Sequence, residues 1–159
     1  VGPDLQPVAA QEKPSWDALA TQVYNRVQPA IRLRTGDRVV LHAEECACGQ
    51  AQPWIDVLGR EREVFCFGGV RVDPQALIGA MEAAVPAYVW RLRQMENETV
   101  VVYIDCPEED RHARFKQALA ALESALAPLG VTGPRIALGG QAAFEPLSCG
   151  KFIRIAREY

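Results

Sequence analysis

The chain has 159 residues, of which 49% are apolar and 23% charged, and its net charge is −3. This length suits one folded domain with a core of its own, and the weak negative charge argues against nucleic acid or an anionic lipid surface as a partner. No apolar run approaches the roughly 18 residues that a membrane helix needs, so we expect no membrane span.

The five cysteines bear on the cellular compartment. No signal-peptide pattern precedes them, because residues 1–7 lack both a basic region and an apolar stretch. An odd number of cysteines without a secretory signal is unusual for a disulfide framework. We therefore expect a reducing, cytoplasmic location.

The N-terminal part predicts an arm followed by a helix. Residues 1–14 contain three prolines and no periodic pattern, which favours an extended arm ahead of a single α/β domain over residues 15–159. Ser15 is a suitable N-cap for the first helix. The apolar stripe of that helix would consist of Trp16, Leu19, Ala20, Val23 and Val27.

A second set of signals marks a helix in the middle of the chain. Asp73 and Pro74 suit the N-cap and the first position of a helix. Pro86 lacks the N–H that would continue it, so the helix should kink there or restart as a second piece that runs through Trp90.

Three further segments predict helices. The segment 52–58 is followed by Gly59 and the segment 110–129 by Gly130, and glycine is the preferred residue just after a helix. A last helix is predicted over 149–158. The apolar face of the longest of these helices would consist of Phe115, Leu119, Leu122, Leu126 and Leu129.

Four β-rich runs alternate with the predicted helices. They cover residues 38–43, 63–67, 99–105 and 134–138. Alternating strands and helices at these lengths predict βαβ units with right-handed crossovers. The predicted fold is therefore a three-layer α/β domain of the Rossmann or flavodoxin-like kind, with a mainly parallel four-stranded sheet.

A cysteine lies in or after each of these four runs. Cys46 and Cys48 follow the first run, Cys66 lies in the second, Cys106 follows the third, and Cys149 comes after the fourth. Parallel strands share one carboxyl edge, where open α/β sheets place ligands. The first four thiols would suffice for a 2Fe–2S cluster or a tetrahedral zinc ion, with Cys149 outside the site. Ordinary buried cysteines are the alternative.

A glycine loop beside one cysteine suggests a different chemistry. Gly68 and Gly69 follow Cys66 and precede Arg71. Between a strand and a helix, their N–H groups and the guanidinium would bind an anion and lower the pKa of the thiol. The corresponding hypothesis is a sulfurtransferase-like thiol enzyme that uses Cys66 and Arg71; a plain strand-to-helix turn is the alternative.

Four later segments carry a family resemblance. Residues 69–74 read Gly-Val-Arg-Val-Asp-Pro, residues 106–112 begin with Cys-Pro, residues 114–131 have a long helical pattern, and residues 148–152 read Ser-Cys-Gly-Lys-Phe. In this order they resemble the Gly-Arg-Val-Asp-Pro segment, cysteine loop, long helix and closing Ser-x-x-Gly-x-Lys-Phe stretch of the delta, or iron–sulfur, subunit of methyl-viologen-reducing hydrogenase. The resemblance covers about residues 38–159.

The resemblance implies an electron-transfer subunit of an oxidoreductase complex, itself non-catalytic. In that family a 2Fe–2S cluster relays electrons between a hydrogenase or formate dehydrogenase and a flavin-containing heterodisulfide-reductase-like subunit, so these redox subunits are the implied partners. Carried over by position, the cluster and metal ligands are Cys46, Cys48, Cys66 and Cys106. Arg111 stands where the family has its second loop cysteine, so the alternative is a cluster-free structural adaptor of such a complex.

Overall fold

The computed structural model describes residues 1, 6–7, 17–22, 24–140, 144 and 152–158. Contacts divide the chain into two compact units, Val1–Arg62 and Glu63–Tyr159, and each unit is described by itself. Most of the expected arm at 1–14 lies outside the described residues. The main division of the chain by contacts falls after residue 62.

Antiparallel strand pairs organise the first unit. Strand β1, Leu19–Ala20, pairs with β2, Leu33–Arg34. Strand β3, Asp37–His42, pairs with β4, Trp54–Arg60, in a longer hairpin. The residues between β3 and β4 form its exposed tip.

Two helices that the sequence predicts in this unit are wrong. Leu19 and Ala20 lie in a strand, while Trp16 and Val23 of the same predicted stripe lie outside the described residues. Most of the segment 52–58 belongs to β4. A seven-residue helix is marginal in water, whereas a strand with β-branched residues gains backbone partners along β3.

The second unit begins with a short hairpin. Strand β5, Phe65–Phe67, pairs antiparallel with β6, Val70–Val72. The two turn residues, Gly68 and Gly69, have φ values of 53° and 89°. Left-handed conformations at both central positions are those of a type I′ turn, whose twist matches the two strands and which glycine adopts without steric cost.

A four-stranded sheet forms the centre of the second unit. Its strands, in spatial order, are β10, Ile155–Arg157; β7, Val89–Gln94; β8, Val100–Asp105; and β9, Ile136–Leu138. The two outer pairs are parallel and the central pair, β7 and β8, is antiparallel. The predicted fold class, an α/β domain with a mainly parallel four-stranded sheet, is confirmed.

The membership of this sheet differs from the prediction. Two of the predicted runs, 99–105 and 134–138, supply β8 and β9, whereas 38–43 and 63–67 fall in the antiparallel hairpins. Only residues 95–99 join β7 to β8. Because a parallel crossover needs a dozen or more residues, this connection forces an antiparallel pair.

Two helices accompany the sheet. Helix α1, Pro74–Ala84, follows Asp73 as predicted, and helix α2, Glu108–Leu126, starts two residues before the predicted segment. A 3₁₀ turn, Ala127–Leu129, extends α2 to Gly130, which has φ 85°. The predicted glycine stop is therefore confirmed, because this left-handed conformation ends the helix.

Two other predicted helical segments are strands. The segment through Trp90 is β7, and the described end of the segment 149–158 contains β10; Cys149 lies outside the described residues. Trp90, Leu92 and Gln94 are buried and alternate along β7. This period of two marks a strand with one face in the core.

The core of the second unit lies where the helices meet the sheet. Helices α1 and α2 contact each other, and α2 also contacts β8. The side chains that are almost wholly buried here include Leu77, Met81, Leu92, Val102 and Leu122. Each contributes roughly 1.5–3 kcal/mol relative to leaving it exposed. Within the described part of the chain, no helix has the length and apolar character to cross a membrane.

Candidate functional site

The structure does not bring Cys66 and Cys106 together. The backbone of Cys66 bonds to the side chain of Gln94, and Gln94 lies opposite Val100, at the start of β8. Cys106 comes after the other end of β8. Six residues of strand span about 20 Å, so these two thiols stand far apart. The antiparallel central pair removes the shared carboxyl edge on which the predicted four-cysteine site depends.

Cys46 and Cys48, by contrast, meet at the tip of the β3–β4 hairpin. Cys46 is half-buried and Cys48 is exposed. A hydrogen bond between the two thiols, followed by a backbone hydrogen bond at Gln50, lowers the pKa of the Cys48 thiol below its ordinary value. In the described residues, no group of three or more His, Cys, Asp or Glu side chains is placed to hold a metal ion.

Arg111 has a structural role where the resemblance implies a lost ligand. Its guanidinium donates to the carboxylate of Glu108 and to the backbone oxygen of Gly139. It therefore ties the first turn of α2 to the loop after β9. The nearby Cys106 thiol has its pKa raised, first by burial and then by the negative charge of Asp110. A thiol held in its neutral form is a poor ligand and a poor nucleophile.

The Gly68–Gly69 turn joins two strands, so the strand-to-helix anion loop proposed for Cys66 and Arg71 is wrong. The N–H of Gly68 donates to Glu98 Oε2 at 2.9 Å, and a carboxylate therefore takes the donor that an anion would need. The Sγ of Cys66 accepts from Arg157 Nη1 at 2.9 Å. Arg71 is the cross-strand neighbour of Cys66 in the hairpin.

A cavity of about 360 Å³ lies beside this turn. It carries one acidic and one basic side chain, Glu98 and Arg135. Glu98 has φ 63°, a left-handed conformation that is unusual for glutamate. The guanidinium of Arg135 donates to the backbone oxygen of Asn97. The remaining lining residues are Phe67, Gly68, Val70 and the loop 130–134.

The sequence gives no direct sign of this cavity. The cavity depends on the β7–β8 turn, whereas the sequence predicts the end of a helix at β7. The polar stretch 95–99 between two apolar runs was the available signal for a hairpin. Among the described lining residues, the guanidinium of Arg135 is the one group that suits an anionic ligand, because the N–H groups of Gly68 and Gly130 already donate to Glu98 and to the backbone oxygen of Ala127.

A cationic surface lies on the face of β7 that points away from Leu92. Arg91 and Arg93 alternate with the core residues of this strand. The guanidinium of Arg91 stands 4.6 Å from the ring centroid of Phe152, and Arg93 Nε lies 3.1 Å from Glu158 Oε1. Burial and then the neighbouring Arg91 charge lower the pKa of Arg93. This face therefore carries two guanidinium groups, one stacked on an aromatic ring and one paired with a carboxylate.

Comparisons with known proteins give a match at the level of fold. No protein-family model matches the sequence, and no curated protein matches it either. Among solved structures, 2-hydroxyisobutyryl-CoA ligase in its postadenylation state with an adenylate (R3-HIB-AMP) gives a TM-score of 0.60 at 20% identity, over 95% of this chain and 33% of the ligase. A second postadenylation structure, with 2-HIB-AMP, gives 0.54 at 22% identity, over 83% and 29%.

An open conformation of the same ligase, with 2-HIB-AMP and CoA, gives a TM-score of 0.50 at 20% identity, over 96% of this chain and 33% of the ligase. The chain therefore spans about a third of the length of the proteins that it resembles in fold. These neighbours overturn the resemblance to the hydrogenase delta subunit, and with it the electron-relay function and the iron–sulfur assignment. The motifs behind that resemblance are short, and the structure explains one of them, 69–74, as a hairpin strand and a helix start.

Proposed function

We propose that this chain is part of an AMP-forming ligase that activates a carboxylic acid as an acyl-adenylate. The observation that carries the proposal is the extent of the fold match, which takes in 95% of the chain at a TM-score of 0.60. A match of this extent draws on both compact units, whose boundary lies at residue 62. It is therefore more specific than a match to the α/β sheet alone.

In this proposal the chain forms one part of a larger enzyme. Because the chain spans 33% of the matched ligase, it supplies part of the fold, and the remaining parts complete the active enzyme. The reaction class is attack of a carboxylate on the α-phosphate of ATP, which forms an acyl-AMP and releases pyrophosphate. A thiol acceptor such as CoA would then displace AMP. A reducing cytoplasm, which keeps cysteines free, is the compartment that we propose.

The charge distribution of the second unit supports ligands of this kind. ATP, acyl-adenylates and CoA all carry phosphate groups, which guanidinium groups bind well. Arg135 lines the cavity beside the Gly68–Gly69 turn, and Arg91 and Arg93 lie on one face of β7. Each feature also includes a carboxylate, Glu98 in the cavity and Glu158 beside Arg93, so the support comes from the guanidinium groups themselves and not from a net positive charge.

The direct test is carboxylate-dependent exchange of labelled pyrophosphate into ATP. The assay uses the native protein together with any other domains or subunits that are purified with it. We expect exchange with at least one member of a panel of short 2-hydroxy acids and fatty acids, and release of AMP once CoA is added. Absence of acid-dependent exchange across the panel contradicts the proposal.

A pair of variants tests whether the cavity takes part. Arg135→Gln removes the positive charge at the cavity and is expected to raise the KM for ATP or CoA several-fold. Arg26→Gln removes an equal charge from an exposed position of the first unit and serves as the matched control. If both variants behave like the unmodified protein while exchange persists, the ligase proposal stands and the cavity is not a ligand site.

A further inference from the structure

The tip of the β3–β4 hairpin folds two cysteines towards each other. The N–H of Cys46 donates to the backbone oxygen of Gln50 at 3.1 Å, and the N–H of Gly49 donates to the oxygen of Cys46 at 2.8 Å. Gly49 has φ 85°, which closes the turn in a conformation that glycine adopts readily. These bonds hold Cys46 and Cys48, two residues apart, on one compact turn.

The surroundings of this pair differ from those of the other described cysteines. Residues 43–45 and 47–53 are exposed, so small molecules can reach the tip. Cys66 is instead bonded to Arg157 within the second unit, and Cys106 packs against the hydrophobic core. Of the described cysteines, Cys46 and Cys48 alone combine a neighbouring thiol with open access.

We propose that Cys46 and Cys48 form a dithiol site that undergoes thiol–disulfide exchange with small-molecule disulfides. The thiolate of Cys48 attacks one sulfur of the disulfide RSSR, which breaks its S–S bond, forms a mixed disulfide at Cys48 and releases one RS⁻. Cys46 then loses its proton to solvent, and its thiolate attacks the Cys48 sulfur. The Cys46–Cys48 bond forms and a second RS⁻ leaves. Overall the protein loses two electrons and two protons, and RSSR becomes two RSH.

The physical chemistry of the turn supports this order of events. The hydrogen bond from Cys46 lowers the pKa of Cys48, which raises its thiolate fraction near neutral pH and makes it the attacking sulfur. A disulfide across one intervening residue closes a very small ring. Such strained bonds are more readily reduced than structural disulfides, so the site is expected to be reversible.

Trypsin separates this pair cleanly from the other cysteines. Cleavage after Arg38 and Arg60 yields peptide 39–60, whose cysteines are Cys46 and Cys48, while Cys66, Cys106 and Cys149 fall in three other peptides. The folded protein is incubated with oxidised glutathione at pH 7, alkylated with iodoacetamide and digested. We expect peptide 39–60 to lose the mass of two hydrogens and to regain two alkylation sites after reduction. A fully alkylated peptide, two glutathione adducts on it, or a bond to another cysteine peptide overturns the proposal.

Single variants test the direction of the exchange. Cys46→Ser should stop the reaction at one glutathione on Cys48, whereas Cys48→Ser should form a mixed disulfide at Cys46 several-fold more slowly. Cys66→Ser is the matched control and should leave ring closure in peptide 39–60 unchanged. Equal rates for the two hairpin variants, or loss of closure in Cys66→Ser, contradict the assignment. The site does not depend on the proposed ligase activity.

Discussion

The side-chain amide of Gln94 pairs with the backbone of Cys66 as a neighbouring strand would. Its Oε1 accepts from the N–H of Cys66 at 2.8 Å, and its Nε2 donates to the carbonyl of Cys66 at 2.6 Å. Gln94 is only 2% exposed and ends β7, so its amide fastens the β5–β6 hairpin to the sheet.

Replacing Gln94 by Met should destabilise the second unit. Met has a similar volume but leaves the N–H and carbonyl of Cys66 without these partners, at a cost of about 1–3 kcal/mol. Urea unfolding measures this change in the free energy of unfolding. Gln75→Met, at an exposed position of α1, is the matched control and should stay within about 0.5 kcal/mol of the parent. Equal stability of the two variants would show that the amide pairing adds nothing.

The pKa values of the Cys48 and Cys106 thiols should be shifted in opposite directions. The pKa of Cys106 is raised by burial and by Asp110, and that of Cys48 is lowered by its hydrogen bond from Cys46. The rate of iodoacetamide labelling against pH, read in peptides 94–111 and 39–60, should therefore have a higher midpoint for Cys106. Asp110→Asn should lower that midpoint, and Glu109→Gln serves as its control.

The sign of the pH effect on stability follows for Cys106. Because its folded pKa is raised, the folded chain favours the neutral thiol. The resulting stabilisation is present below the pKa of the unfolded chain and is lost as the pH rises through the folded pKa. Unfolding measured across that alkaline range should show a smaller loss of stability in Cys106→Ala than in the parent. An identical pH dependence for both proteins would contradict this reasoning.

Gly139 lies too close to a tyrosine ring to carry a side chain. A Cβ built at this position clashes with the ring of Tyr103. Gly139→Ala should therefore destabilise the second unit by about 1–3 kcal/mol, as overpacking does. Gly140→Ala is the neighbouring control, since its Cβ meets nothing within 4 Å. Adding Tyr103→Ala to Gly139→Ala should recover part of the loss in urea unfolding, whereas additive losses would refute the clash.

A buried carboxylate organises the start of the first unit. Asp17 is 3% exposed, and it accepts from Arg34 Nε at 2.7 Å and from the N–H of Gly36 at 2.9 Å. Asp17→Ala removes both bonds and should cost about 1–3 kcal/mol. Asp17→Asn keeps an acceptor for Gly36 and should cost less, because the partner Arg34 is largely exposed and exposed ion pairs are weak. Hydrogen exchange at the Gly36 amide reports both effects, and equal protection in the two variants would contradict them.

Local signals in the sequence determined the two helices and one long strand. Asp73 and Pro74 start α1, and the apolar repeat that ends at Gly130 marks α2. The β-branched run 100–105 is β8. Each of these elements depends on residues that are close together in the sequence. Pro74 lacks an N–H and suits the start of a helix, Gly130 adopts the left-handed conformation that ends one, and the spacing of apolar residues matches one type of element.

Only the tertiary structure decided which strands pair and where the cysteines meet. Short apolar runs such as 52–58 suit a helix or a strand until a partner strand appears, and β3 supplied that partner. The same choice separated Cys66 from Cys106, because an antiparallel β7–β8 pair puts the two strand ends at opposite edges. Cys46 and Cys48 lie together because one turn holds both. Neighbouring residues determine the contacts within a turn. Whether cysteines at the ends of different strands meet depends instead on the direction of those strands, which the lengths of the connections between them determine.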